Sequence, residues 1–135
     1  LDKVEGGCLC GSIRFRVSGQ PIGAGFCHCE SCRKQTGAPV AAYVVFDASQ
    51  VEWTKGTRQR FESSPQKFRS FCGRCGASLA LEDESRDRTL VEFHVSAMDT
   101  PENFPPEEHT HYAERISWMT CDDGLQKFER SMLAE

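Results

Sequence analysis

Seven of the eight cysteines in this 135-residue chain fall in three tight groups: Cys8 and Cys10 (CxC), Cys27, Cys29 and Cys32 (CxCxxC), and Cys72 and Cys75 (CxxC). Thiols this close along a chain serve as disulfide partners, redox devices or metal ligands, and the redox compartment weighs among the three. No apolar run reaches the ~20 residues of a membrane helix, and the opening LDKVEGG lacks the apolar centre of a signal peptide. The chain therefore reads as cytoplasmic with no membrane partner, where metal ligation or reactive thiols are favoured over four disulfides.

The segment FCGRCGASL has the form of a zinc knuckle: Cys72 and Cys75 flank a tight turn, and Gly73 and Gly76 let backbone N–H groups approach the thiolates. A tetrahedral zinc needs four ligands, and a knuckle commonly recruits its second pair from a distant hairpin, here Cys8 and Cys10 in GGCLCG. That partition leaves Cys27, Cys29 and Cys32 as a three-thiolate set with an open fourth position, the property that separates catalytic from structural zinc. Two other readings of the spacing stay open. His28, His94, His109, His111 or Cys121 closes the second site, or Cys8 and Cys10 pair with Cys27 and Cys29 and the knuckle shares Cys32.

The remaining chain reads as mainly β. SIRFRVSG alternates Ile13, Phe15 and Val17 with polar residues, the period of a strand with one buried face, and GGCLCG before it reads as a hairpin tip. APVAAYVVFDAS, VEWTKG, RQRFES, KFRSFC, ASLALEDE and TLVEFHVSAM continue as strands, spaced too closely for βαβ crossovers. Only CDDGLQKFERSMLA carries helical spacing, with Leu125, Phe128 and Met132 predicting a short C-terminal helix. The expectation is one domain over residues 1–135, since its length and 39% hydrophobic content suit a single core.

A net charge of −4 argues against a nucleic-acid partner. Arg58, Arg60, Lys67 and Arg69 alternate at strand spacing and read as a solvated strand face. His94 reads as a hydrogen-bonded sheet histidine, His109 and His111 as surface or structural, and Cys121 as a small buried apolar residue. Gln35 and Thr36 are placed to hydrogen-bond the thiolates of the metal loop.

Four stretches together resemble the glutathione-dependent formaldehyde-activating enzyme family across nearly the whole chain: GGCLCGSIRF, CHCESCRKQTGAP, FRSFCGRCGASL and ISWMTCDDGLQKFE. The resemblance implies a β-tent fold of several small antiparallel sheets organised around zinc. It also implies a structural zinc on Cys8, Cys10, Cys72 and Cys75 and a catalytic zinc on Cys27, Cys29 and Cys32. The reaction it implies is carbon–sulfur bond formation and cleavage between glutathione and formaldehyde.

Charge narrows the chemistry independently, because zinc with three thiolates already carries net negative charge and is a poor activator of water. Capture of a further sulfur ligand suits it better, so a small-molecule thiol such as glutathione is the expected partner. Arg33 and Lys34, which follow Cys32, are the expected cations to offset the added charge or to hold glutathione's carboxylates. Two functions are carried forward: a zinc-dependent carbon–sulfur lyase, and a non-catalytic zinc-stabilised binding module.

Overall fold

The computed structural model describes residues 3–132. In chain order it contains β1 (Lys3–Gly7), β2 (Arg14–Ser18), β3 (Gly23–Cys27), α1 (Glu30–Thr36), β4 (Ala41–Asp47), β5 (Val51–Lys55), β6 (Gln59–Ser64), β7 (Lys67–Phe71), β8 (Ser78–Asp83), β9 (Leu90–His94), β10 (Glu108–Thr110) and β11 (Gln126–Lys127), with short 3-10 turns between some of them. The fold is mainly β, as expected. Two sheets form, one of three strands in the order β1-β2-β5 and one of eight in the order β11-β10-β3-β4-β9-β8-β7-β6. All pairings are antiparallel except those of β10 with β3 and with β11. A parallel pair is possible here because β3 and β10 are far apart in sequence.

Alternation along the strands gives the large sheet two unlike faces. Ala24, Val44, Phe46, Ala80, Val91 and Phe93 turn one way and meet Phe15 and Val17 of the small sheet in the main core, where Phe15 stacks on Phe93 with centroids 4.0 Å apart. Cys27, Tyr43, Val45, Leu81, Asp83, Leu90 and Glu92 belong to the other face, which lines a cavity. The first face supplies the hydrophobic free energy of the fold. The second is free to carry chemistry.

Strand β3 has the sequence GAGFC, poor in β-formers, and its role follows from contact rather than propensity. A Cβ on Gly25 would stand 2.6 Å from the Glu108 carbonyl and 2.8 Å from the Tyr43 hydroxyl, so only glycine lets Tyr43 and β10 approach this closely.

The expected C-terminal helix is not present among its described residues; Leu133 and Ala134 of that segment lie outside them. Its backbone bonds across the chain instead: Phe128 N–H donates to the His109 carbonyl (2.7 Å), and Tyr112 N–H to the Phe128 carbonyl (2.9 Å). A helix this short is marginal in isolation, whereas β10 offers a free edge, so pairing as β11 wins. Conversely, the triple-cysteine stretch, read as a loop, contains the one α-helix of the described residues. Cys29 is the N-cap of α1 and accepts from Cys32 N–H (3.3 Å), and Gly37, at φ 70°, closes it by donating to the Arg33 carbonyl (2.8 Å).

Candidate metal centres and the cavity

Two hairpin tips build the first centre. Cys8 and Cys10 stand at the β1–β2 tip and Cys72 and Cys75 in the turn between β7 and β8, and the four sulfurs lie within 4.8 Å of one another. Cys10 Sγ is 3.7 Å from Cys8 Sγ and 3.9 Å from Cys72 Sγ. A tetrahedron of zinc–sulfur bonds of about 2.3 Å has edges of about 3.8 Å, so the set fits a tetrahedral metal ion. Backbone amides support the sulfurs: Ile13 N–H donates to Cys8 Sγ (3.2 Å), and Arg74 and Cys75 N–H to Cys72 Sγ (3.3 and 3.4 Å). The Ser12 hydroxyl, then the Cys75 and Arg74 amides, hold the Cys72 thiol down to about 5, which favours the metal-binding thiolate. Gly76, at φ 78°, is the left-handed residue that closes the knuckle, donating to the Cys72 carbonyl (2.8 Å).

The second centre joins the end of β3 to the first turn of α1. Cys27, Cys29 and Cys32 bring their sulfurs within 4.8 Å of one another, and among the described residues no fourth His, Cys, Asp or Glu joins them at that spacing. Hydrogen bonds from the Cys27 thiol and then the Cys32 thiol hold Cys29 far below the ordinary thiol range, and the Cys29 contact pushes Cys27 up. The spacing of the three sulfurs fits a shared metal ion. All three line a cavity of about 540 Å³ together with Lys67, Arg69, Glu92 and His111 among others.

The other residues singled out in the sequence divide sharply. Arg33 and Lys34 lie outside the cavity wall: Arg33 Nε donates to the His28 carbonyl (3.1 Å), and Lys34, 79% exposed, pairs with Glu30 (3.5 Å). Helical geometry is the reason, since Cys32 faces inward and the next two positions rotate away by about 100° and 200°. The cations that do reach the cavity are Lys67, Arg69 and Arg86. Arg69 is 6% exposed, and its Nη1 donates to Cys32 Sγ at 3.2 Å. The solvated-face reading thus fails for Lys67 and Arg69. Arg58 and Arg60 are paired elsewhere, with Glu82 and Glu84.

None of the alternative ligands closes the second centre. His28 is fully buried on the far side of the strand, its Nε2 2.8 Å from His109 Nδ1, and His109 Nε2 is 2.8 Å from Asp123 Oδ2. Asp123 belongs to the Asp-Gly-Leu segment, so this chain of bonds ties the closing residues to the backbone of the metal loop. Cys121 is half-buried beside His109 and Asp123. His94 is buried with neither ring nitrogen hydrogen-bonded, contrary to expectation, and burial keeps it neutral by lowering its pKa to about 4. His111 lines the cavity and pairs with Glu114 (3.5 Å). Gln35 donates to the Ser78 hydroxyl (3.0 Å) and Thr36 to the Cys32 carbonyl (2.8 Å), so they brace α1 rather than the thiolates.

Comparison with known proteins agrees with this architecture. A protein of Halomonas elongata named as a putative glutathione-dependent formaldehyde-activating enzyme is 33% identical over 133 residues, covering 91% of this chain and 83% of the relative. An uncharacterized lyase of Schizosaccharomyces pombe is 29% identical over 79 residues, 58% of this chain and 57% of the relative. The crystal structure of a Rhodobacter sphaeroides protein shares the fold, with a TM-score of 0.58 at 17% identity over 92% of this chain and 98% of that one. The family model described as glutathione-dependent formaldehyde-activating enzyme matches residues 3–114, which contain all seven clustered cysteines. The chain belongs to the glutathione-dependent formaldehyde-activating enzyme family.

Proposed function

We propose that the protein is a zinc-dependent carbon–sulfur lyase acting on glutathione adducts such as S-hydroxymethylglutathione, or on a related small thiol conjugate. The observation that carries this reading is the second cysteine set, which presents three sulfurs to a cavity and no fourth protein ligand among the described residues. Cys8, Cys10, Cys72 and Cys75 would hold the structural zinc, and Cys27, Cys29 and Cys32 the catalytic one. Zinc bound by three thiolates would supply a soft coordination position suited to a thiol sulfur.

The chain's own residues do the rest. Arg69, held against Cys32 Sγ, offsets the negative charge that an incoming thiolate adds, the role the sequence assigned to Arg33 and Lys34. Lys67 makes no ion pair among the described residues and lines the same cavity, so it is placed to take a substrate carboxylate. Tyr43, Val45 and Leu81 give the cavity an apolar wall.

The test is cobalt substitution. Glutathione or its S-hydroxymethyl adduct should alter the visible spectrum of the cobalt protein, and ophthalmic acid, which carries a methyl group in place of the thiol, should change it little. A spectrum unmoved by millimolar glutathione, with no turnover across a panel of adducts, would leave the non-catalytic zinc-stabilised binding module as the better account.

A further inference from the structure

The reading above gives no task to several titratable groups of the cavity; Asp83 pairs with Arg86 and Glu114 with His111, which leaves Glu92. It is the middle residue of β9, with Val45 of β4 and Leu81 of β8 directly across the sheet, so its carboxyl enters the cavity between two aliphatic side chains. It makes no hydrogen bond and no ion pair with another described residue. Glu92 is half-buried, and packing gives no reason for a carboxyl here, because a half-enclosed carboxylate with no partner among the described residues costs stability that an apolar side chain would not.

Its surroundings suit proton transfer. Burial raises the Glu92 carboxyl to about 7; Arg69 and Lys67 of β7 oppose that rise, and Asp83 of β8 and Cys29 of the metal loop add to it. On its own face of β9 its neighbours are Leu90 and the neutral His94, and β4 brings Val45 and the Tyr43 phenol. A carboxyl poised near neutrality both accepts and returns a proton at low cost.

We propose that Glu92 is the proton-transfer residue of the carbon–sulfur step, carrying the thiol's proton from sulfur to the carbonyl oxygen; the assignment rests on the lyase reading above. As a carboxylate, Glu92 takes the proton of the entering thiol. The sulfur lone pair then forms the S–C bond at the aldehyde carbon, and the C=O π pair moves onto oxygen. That oxygen takes the proton from the Glu92 carboxyl, giving the S-hydroxyalkyl adduct and the starting carboxylate. Cleavage runs the same steps in reverse, with no oxidant or further reactant.

The test compares the zinc-loaded wild type with Glu92→Gln by metal content, by adduct formation and cleavage across pH, and by protons released on glutathione binding. Proton release is read by calorimetry in buffers of different ionisation heat. Glu92→Gln should keep both metals, lose about 10²- to 10⁴-fold in rate, and lose the limb of the pH profile near 7. At pH 7.5 it should also release more protons per glutathione bound, because the wild type retains on Glu92 part of what the thiol gives up.

A wild type that turns over, beside a variant of equal rate, pH profile and proton release, overturns the proton-transfer role and leaves the lyase standing. A wild type with no rate above the solution reaction for any thiol and aldehyde overturns both. Should Glu92→Gln fail to hold metal, Glu92→Asp decides: a metal-replete protein with slowed turnover and a displaced pH limb supports the role, and one with unchanged rate and limb overturns it.

Discussion

Glu92→Gln should also change folding stability in a way that grows with pH, and the size of the effect follows from the structure. The carboxyl has an ordinary value of 4.5 and is raised to about 7 by burial in the folded protein. Below the lower value it is neutral in both states; above the higher it is charged in both, and the folded state bears the full cost of enclosing the charge. Between the two the folded state binds more protons than the unfolded, so stability falls as pH rises through that window. A gap of about 2.5, at about 1.4 kcal/mol for each pKa unit, makes the loss about 3 kcal/mol.

Glutamine keeps the shape and removes the charge, so the stability of Glu92→Gln relative to wild type should improve by about 3 kcal/mol between pH 4.5 and pH 8. Any fixed cost of its unpaired amide shifts both ends equally. Urea unfolding at pH 5 and pH 8, followed by tryptophan fluorescence at equal metal load, measures this. With a slope of about 2 kcal/mol/M the relative midpoint should move by more than about 1 M. Taking the difference between the two proteins at each pH cancels the protonation of the cysteine ligands, which both share. A difference between the proteins that stays constant across this range would refute the argument, because it would mean that Glu92 ionises alike in the folded and unfolded chain.

Protein purified under reducing conditions should hold two zinc ions per chain, and a mild chelator should remove one well before the other; metal analysis over time checks this, and a single tightly held ion would contradict the four-plus-three partition. Cys72→Ser should yield poorly folded protein, since a closed structural zinc contributes on the order of 10 kcal/mol to folding in small domains, while Cys29→Ser should yield folded protein lacking one zinc and its activity. Thermal melts that show the two equally damaged would remove the distinction. Arg69→Gln should weaken glutathione binding by about ten- to a hundredfold, as loss of a buried charge partner predicts, whereas Arg33→Ala and Lys34→Ala should alter it less than threefold. Titration of the cobalt proteins separates these outcomes.

What the sequence by itself determined is local. Zinc knuckles are built by two cysteines, a short turn and a left-handed glycine, all encoded within a few residues, so Cys72, Cys75 and Gly76 were legible, and Cys8 and Cys10 followed from ligand count. Period-two alternation likewise marked Phe15 and Val17, because a strand with one buried face repeats its instruction at every second residue. Tertiary structure decided everything that depends on a partner distant in sequence. β3 is written GAGFC and is a strand only because Tyr43 and β10 need its bare backbone, and the closing segment is β11 because β10 leaves an edge that outbids a marginal helix. The electrostatics of the cavity belong to this second kind. Lys67 and Arg69 alternate with Phe68, a pattern that fits a solvated strand face equally well, and only the folded chain brings Arg69 to Cys32 and Lys67 to the same cavity. Glu92 sits between Val91 and Phe93 in a strand buried on both faces, and its polar position is half-enclosed because residues of α1 and the metal loop line the same cavity. Residues adjacent in sequence share backbone geometry, which a pattern can encode; the charge on an incoming thiol is felt through space, by side chains that only folding brings near it.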